Sequence, residues 1–400
     1  MIVVSELDVL IGKYWNDILE YRRWLHAHPE LSGQEERTAS YIAEVLREIG
    51  LNPVEHIGGY GVSVLIKGSD AGRCVGIRAD FDALPVLELT GLPFESRNPG
   101  VMHACGHDMH TAMLLGAVHI LNDLRDRFDG TIKLIFQPSE EKADQDGRTG
   151  AVRMIDAGVL TDPPVDVILG QHLDAELPTG NIVFKSGTMT AASDRFDIVI
   201  YGKGSHAAKP DQGVDAIAVG VQVVCALQSI VSRNISPLDS AVVTVGTVSG
   251  GTASNVIADK FEITGTCRTH REDTRNMIER RIESIVKGIS EAMGAEYEFK
   301  YKRGNSAVVN DPKICSIVHE AACSAIGQEH IIKLLGPSMG SEDFSCYAQR
   351  IPGCFYRLGC LKEGAETIPL HSGRFNPDEE CMKTGVMVMV SSALQVLKMK

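Results

Sequence analysis

Four short apolar segments constrain the fold of this chain more than any other feature of its sequence. Each is a nearly continuous hydrophobic run bounded by turn residues, and they lie at 62–66, 75–78, 132–136 and 165–169. Such runs are typical of strands that are buried on both faces of a sheet. Helical patterns lie between them at 111–124 and 150–157, and others lie in the first fifty residues and at about 380–397. The alternation predicts an α/β domain with helices on both faces of a mixed sheet.

The middle of the chain has a different order of elements. Strand patterns lie at 196–201, 241–247, 260–266 and 297–302, and helical patterns lie at 214–231 and 273–293. The resulting order, β-α-β-β-α-β, is that of a ferredoxin-like α+β unit. We therefore predict a discontinuous α/β domain at 1–187 and 305–400, with a second domain inserted at 188–304.

The composition argues against several classes of protein. The chain has 39 Lys and Arg against 52 Asp and Glu, a formal net charge of −13, and no basic run is longer than a pair, so no nucleic-acid partner is expected. No segment approaches the roughly 18 apolar residues of a membrane span, and the N-terminus lacks a signal-peptide pattern. The ten cysteines include no C-x-x-C pair. A reduced, cytoplasmic protein is expected.

Polar residues of the types used in catalysis follow the predicted buried strands. Four segments each follow a strand or open the next helix: 79–80, 102–108, 137–141 and 170–172. In open α/β sheets, sites form outside the carboxyl ends of the strands. We therefore expect these segments to converge on one crevice.

The converging segments carry a set of metal-ligand residues. With one residue from late in the chain, the set is Cys105, His107, Glu141, His172 and His371. One thiolate, three imidazoles and one carboxylate exceed what a single tetrahedral catalytic ion with an open position takes. They fit two ions that share a bridging ligand, and Cys105, as a thiolate, is the natural bridge. Zinc suits sulfur and nitrogen ligands best, with manganese, cobalt and nickel as alternatives.

The adjacent glutamates Glu140 and Glu141 need separate roles. Neighbouring side chains in extended backbone point in opposite directions, so we expect that they do not bind one ion together. One would ligate a metal, and the other would take a proton from the water that the metals activate, acting as general base and then as general acid.

Other interpretations of the same residues stay open at this point. Cys105 could be a thiol nucleophile with His107 as its base, although the two are close in sequence and no third orienting group is evident. The segment around them could be a helix N-terminus capped by Asp108. His26 and His28 resemble a ligand pair but precede Pro29 at a helix end, which favours structural packing. His110 is expected to support the site.

Several motifs together resemble the amidohydrolase branch of the aminoacylase/carboxypeptidase metallopeptidase family, which includes hippurate hydrolases and auxin-conjugate hydrolases. The resemblance runs nearly from end to end of the chain. The matching segments are 25–32, 78–85, 102–108, 136–141, 204–207, 253–259, 340–344 and 370–372.

The resemblance implies a role for each candidate residue. It makes Cys105 the bridge, with Glu141 and His371 on one metal and His107 and His172 on the other, and it makes Glu140 the acid/base. The inserted domain is implied to be a lid and dimerisation domain. Its His206 would polarise the scissile carbonyl across a homodimer interface, and Asn255 and Arg268 would hold the carboxylate of the substrate.

The chain departs from the wider family in two ways. Other branches carry H-x-D where this chain has Arg78-Ala79-Asp80, so His107 must supply that ligand and Asp80 becomes a residue that orients the site. A glycine-rich stretch that is common after the glutamate pair is replaced by the charged segment 142–148. This change affects the pocket that receives the acyl group.

These observations predict a two-metal amidohydrolase that cleaves N-acyl amino acids or short peptides with a free carboxylate. One alternative is a metallo-carboxypeptidase or dipeptidase with the same machinery. A second alternative is a catalytically silent carboxylate-binding protein on the same scaffold.

Overall fold

The computed structural model describes residues 4–399 of the chain. In chain order the helices are α1 Val4–Ala27, α2 Glu36–Glu48, α3 His107–Asp123, α4 Gly150–Asp156, α5 Ala216–Leu227, α6 Ser229–Asn234, α7 Glu272–Ala292, α8 Pro312–Ile326, α9 Ser345–Ala348 and α10 Cys381–Leu397. The strands are β1 Val54–Ile57, β2 Gly61–Lys67, β3 Cys74–Asp80, β4 Thr131–Gln137, β5 Val167–Pro178, β6 Ile182–Phe184, β7 Gly187–Thr188, β8 Ala192–Tyr201, β9 Ser205–His206, β10 Ala241–Gly250, β11 Val256–Ile257, β12 Lys260–Thr269, β13 Glu296–Arg303, β14 Val309–Asn310, β15 Ile331–Lys333 and β16 Gly353–Leu361.

The chain divides into two compact units. The first comprises 1–189, 309–336 and 343–400, and the second comprises 190–308 and 337–342. The second unit thus takes in a short late segment, 337–342, besides the inserted stretch. The lid and dimerisation roles of the inserted stretch stay a prediction.

The first unit is built on an eight-stranded mixed sheet, with strand order β1-β2-β4-β3-β5-β16-β6-β15. Its central strands β4, β3, β5 and β16 run parallel to their neighbours within this group. Every residue of β3 is buried, as is every residue of β4 after Thr131. Because successive side chains of a strand point to opposite faces, this burial means that both faces of the sheet are covered. The predicted α/β class is confirmed.

One strand is longer than predicted, and this changes the description of His172. The sequence pattern ends a strand at 169, but β5 continues to Pro178 because β16 pairs with it as far as that residue. His172 therefore lies within β5 and opposite Arg357 of β16. It does not follow the strand.

The second unit contains a four-stranded antiparallel sheet, with strand order β10-β12-β8-β13. This order, with α5 and α7 packed on the sheet, is the predicted ferredoxin-like arrangement. The helix predicted at 214–231 is interrupted at Gln228, next to which Ser229 Oγ donates to the carbonyl oxygen of Ala226 (2.7 Å). Among residues 4–399, no helix is both long and apolar enough to cross a membrane.

Candidate metal centre

The carboxyl ends of the parallel strands bring the predicted site segments to one edge of the large sheet. Asp80 ends β3 and is opposite Gln137, which ends β4. Arg78 is opposite Gly170, so His172, two residues further along β5, is level with the end of β3. The predicted convergence on one edge follows from this register.

Two groups of potential ligands share one cysteine. Cys105, His107 and His172 form one group, and Cys105, Glu141 and His371 form the other. Within each group, the ligand atoms lie within 4.8 Å of one another. Cys105 Sγ is 3.4 Å from His172 Nε2, and His371 Nε2 is 3.2 Å from Glu141 Oε1. The structure therefore brings together all five residues of the predicted ligand set.

The hydrogen bonds of His107 and His172 show which nitrogen of each ring carries a proton. His107 Nδ1 is 2.9 Å from the carbonyl oxygen of Asp82, and His172 Nδ1 is 2.7 Å from that of Leu173. A carbonyl oxygen only accepts, so each Nδ1 carries a proton, and in the neutral form of each ring Nε2 is the nitrogen that can bind a metal. Within the part of the chain that the structure describes, buried His107 Nε2 has no hydrogen-bond partner.

A glycine lets Cys105 and His107 face the same site. Gly106 has φ +90°, in the left-handed region, and directly precedes α3. A Cβ at this position would lie 2.4 Å from Leu173 Cδ1, so a larger residue would also clash. Asp108 does not cap the helix; its carboxylate is 2.8 Å from His26 Nδ1 and 3.2 Å from Arg22 Nε. The capping interpretation of Asp108 is therefore wrong, and His26 takes part in a buried structural network.

The two glutamates do not point in opposite directions, as their adjacency led us to expect. The carboxylate oxygens of Glu140 and Glu141 lie within 4.8 Å of each other and of a His107 nitrogen. The backbone is not extended here, because Ser139 has φ +53° and turns the chain after β4. The predicted opposite directions of the two side chains are therefore wrong, and the separate roles of the two glutamates stay a prediction.

Asp80 holds a buried network beside the ligands. It accepts from Arg78 Nη1 (2.6 Å) and His110 Nδ1 (2.6 Å), and Arg78 Nη2 also donates to Asp343 (2.7 Å). His110 Nε2 accepts from the backbone N–H of Leu173 (2.9 Å), so the ring is neutral with its proton on Nδ1. Burial lowers the pKa of His110 to about 4, in agreement with this form. Asp80 therefore orients groups around the site, and it holds both Arg78 and His110 in place.

The charge balance at Cys105 fits a bound cation. Burial, together with the negative charge of Glu141, raises the pKa of the Cys105 thiol well above its usual range. A thiol in this state is a poor nucleophile, which argues against a cysteine-based mechanism. A divalent cation would stabilise the thiolate, because metal binding displaces the proton. The thiol, the free His107 nitrogen and the adjacent carboxylate are therefore suited to hold metal.

The site is closed at one side and open at the other. Cys105 and His107 are 6% and 1% exposed, whereas the side chain of His371 is 53% exposed. A small molecule can approach the ligand set from the side of His371.

The second unit carries the three remaining candidates. His206 of β9 is opposite Val256 of β11, and the carbonyl of Asn255 accepts from Ala207 N–H (3.0 Å), so His206 and Asn255 are neighbours. Arg268, near the end of β12, donates to Thr266 Oγ1 (2.8 Å) and to the carbonyl of Cys267 (3.2 Å).

Arg268 is far from the other two within one chain. The His206–Asn255 pair lies beyond the end of the sheet at which β12 begins, since Lys260 opens β12 opposite Tyr201 and Ser205 pairs with Ile257 further out. At about 3.3 Å per residue, the stretch from 260 to 268 spans roughly 26 Å. The structure therefore does not bring Asn255 and Arg268 together within one chain.

Asp82, which was not predicted from the sequence, is a second residue that organises the site. Its Oδ1 is 3.2 Å from His107 Nδ1, and its Oδ2 accepts from the backbone N–H of Glu141 (3.0 Å). The D-x-D spacing of Asp80 and Asp82 at the end of a buried strand was the available signal.

Comparisons with known proteins identify the family. The model of "Peptidase family M20/M25/M40" matches residues 76–395. An N-acyl-L-amino acid amidohydrolase of Geobacillus stearothermophilus is 47% identical over 306 residues, covering 76% of this chain and 81% of the relative. Thermostable carboxypeptidase 1 of Saccharolobus solfataricus is 37% identical over 388 residues, covering 94% and 96%.

A solved structure extends the similarity to the fold. A Bacillus subtilis protein described as a dinuclear metal-binding peptidase of the M20 family has a TM-score of 0.83 at 36% identity, covering 97% of this chain and 99% of that chain. The resemblance predicted from the motifs is confirmed, and this chain is a metal-dependent hydrolase that belongs to peptidase family M20/M25/M40.

Proposed function

We propose that this protein is a two-metal amidohydrolase that cleaves the amide bond of N-acyl amino acids. The observation that carries the proposal is the pair of ligand groups that share Cys105. Cys105 would bridge two divalent ions, with Glu141 and His371 on one ion and His107 and His172 on the other. When bound, the ions would polarise the amide carbonyl and lower the pKa of water. Zinc best fits the thiolate and imidazole ligands, with manganese, cobalt or nickel as alternatives.

Glu140 is the proposed general base and acid. Its Oε1 is 3.3 Å from the backbone N–H of Asp343, which donates to it. Asp343 is itself buried and bonded to Arg78 and Gln137, so the donor is held rigidly. In this role the carboxylate takes a proton from the attacking water and returns it to the leaving amine nitrogen.

The proposed substrates carry a free carboxylate, for which Asn255 and Arg268 are the proposed binding residues. Because roughly 26 Å of strand separates these two within one chain, they can serve one substrate only if they come from two chains. We therefore propose a homodimer in which His206 and Asn255 act on the site of the partner. The outer strand β10 of the second unit supports this, since it has exposed Val242 and Val248 and pairs with β12 alone among the described strands.

A substrate panel tests the proposed activity. We expect hydrolysis of N-acetyl and N-benzoyl amino acids by the zinc-loaded or manganese-loaded enzyme, and a large loss when the carboxylate is a methyl ester, since the ester removes the charge that Arg268 would bind. Release of the free amino acid is the measurement. Cleavage of dipeptides alone would favour a dipeptidase or carboxypeptidase. A fully loaded protein that cleaves none of these compounds would favour the catalytically silent alternative.

Complementation between inactive chains tests the dimer. His206→Ala and Glu140→Ala chains are unfolded, mixed in equal amounts and refolded. If His206 acts on the partner, half of the dimers are mixed and each has one intact site of two, so recovery approaches a quarter of the wild-type rate. Recovery no higher than that of the separately refolded variants would reject action across the dimer.

A further inference from the structure

Two buried carboxylates from outside the ligand set hold the turn that carries Glu140 and Glu141. Oε1 of Glu35 accepts from both the backbone N–H (2.8 Å) and the hydroxyl (2.9 Å) of Ser139. Asp82 accepts from the backbone N–H of Glu141 (3.0 Å). One carboxylate thus holds the start of the turn and the other holds its end.

The turn needs this support because Ser139 has an unfavourable backbone conformation. Its φ of +53° lies in the left-handed region, which residues with a side chain rarely adopt unless their surroundings hold them there. Ser139 is also 1% exposed, so water cannot satisfy its polar groups. Ser139 donates both hydrogen bonds to Glu35, a residue 104 positions earlier in the chain.

The burial of Glu35 is not expected to stabilise the fold. It is fully buried, and within the described residues its Oε2 has no hydrogen-bond partner. Burial, together with the negative charge of Asp82, raises the pKa of Glu35 to about 7. Although Glu35 occupies the position before α2, its side chain makes no capping bond to that helix. A buried carboxyl group with one unsatisfied oxygen is costly, so its presence calls for another explanation.

The segment that contains Glu35 also supports Asp82. Ser32 Oγ donates to Asp82 Oδ2 (2.7 Å), the same oxygen that accepts from Glu141. The backbone of Ala83 donates to the carbonyl of Glu30 (2.8 Å), which ties this segment to the chain beyond β3. Residues 30–35 therefore reach both ends of the glutamate turn, directly through Glu35 and indirectly through Asp82.

We propose that Glu35 is a positioning residue for the hydrolytic reaction, and that it acts through Ser139 to hold Glu140 and Glu141 on the same side of the turn. The inference rests on the proposed roles of these glutamates. It requires only an acceptor oxygen at Glu35 Oε1. Either an ionised or a protonated carboxyl group provides that oxygen, and so does an amide.

Two substitutions of similar size separate positioning from bulk packing. Glu35→Leu removes the acceptor, and we expect kcat to fall and the zinc dissociation constant to rise, each by about 10–100-fold, as is typical when groups supporting a metal site are removed. KM should change little, because the turn does not bind the carboxylate of the substrate. Glu35→Gln keeps the acceptor oxygen and should recover most of both losses. Glu44→Leu, at an exposed position on α2, is the control.

The measurements are kcat, KM, zinc affinity by competition with a chelator, and the melting temperature. If Glu35→Leu keeps wild-type kcat and zinc affinity, or if Glu35→Gln is as impaired as Glu35→Leu, the inference is overturned. If the wild-type protein binds zinc but hydrolyses no substrate, the proposed function fails, and zinc affinity in the same variants still tests the positioning role.

Ser139→Ala provides a second test if Glu35→Leu does not fold. It removes one of the two bonds to Glu35 and leaves the backbone N–H in place, so a smaller loss of kcat and zinc affinity is expected. If Glu35→Leu does fold, a double-mutant cycle pairs it with Ser139→Ala, and Ser139→Ala should cost less zinc affinity in the Glu35→Leu background, where the hydroxyl has already lost its acceptor. Full additivity of these two substitutions would show that Glu35 does not act through Ser139. If Glu35→Leu does not fold, wild-type kcat and zinc affinity in Ser139→Ala would overturn the inference.

Discussion

Replacement of Glu140 by glutamine is expected to lower kcat by about 10²–10⁴-fold, the usual contribution of general acid–base catalysis. The amide has the size of the carboxylate but cannot take a proton from water. The Asp343 N–H that donates to Glu140 Oε1 can donate equally to the amide oxygen, so the side chain should keep its position. The variant should therefore retain its full metal content. Steady-state kinetics and elemental analysis of the same preparation are the measurements.

Glu141→Gln is the matched control, since it makes the same chemical change one residue away. Glu141 belongs to the ligand group of Cys105 and His371, so this variant should lose metal affinity and should regain activity when excess metal is added. If Glu140→Gln lost metal and Glu141→Gln kept it, the proposed roles of the two glutamates would have to be exchanged.

Removal of metal is expected to abolish turnover, because both proposed ions act on the reacting groups. The loss should be reversible, since His172 lies within β5, His107 opens α3 and Glu141 lies in the turn after β4, and the sheet positions all three elements. Metal affinity should also fall as the pH is lowered. Cys105 must lose its proton to bind, and its pKa is raised by burial, so protons compete strongly with the metal. Chelator competition at several pH values measures this dependence.

The location of the site could be predicted from sequence because two regular features determine it. Apolar runs identify the parallel strands, and the carboxyl ends of parallel strands meet at one edge. Cys105, His107 and His172 were therefore expected to converge before any distance was known. Cys105 belongs to both ligand groups, and this agrees with the bridging role that its thiolate chemistry suggested.

Features that depend on a single backbone dihedral or on distant pairing could not be predicted in this way. The opposed directions expected for Glu140 and Glu141 are wrong because Ser139 adopts φ +53°, which no periodicity reveals. The extension of β5 to Pro178 depends on β16, whose paired residues lie about 185 positions later in the chain. Glu35 was missed for the same reason, since its partner Ser139 is 104 residues away.

The measurement that tests the central proposal most directly is a metal titration of the stripped protein. Zinc is added in steps, and bound metal and the rate of N-acyl amino acid hydrolysis are recorded at each step. The shared ligand Cys105 and the two ligand groups predict that the rate is zero without metal and reaches its maximum at two ions per chain. A maximal rate with no metal bound, or a rate that is complete at one ion and unchanged by a second, would contradict the two-metal proposal.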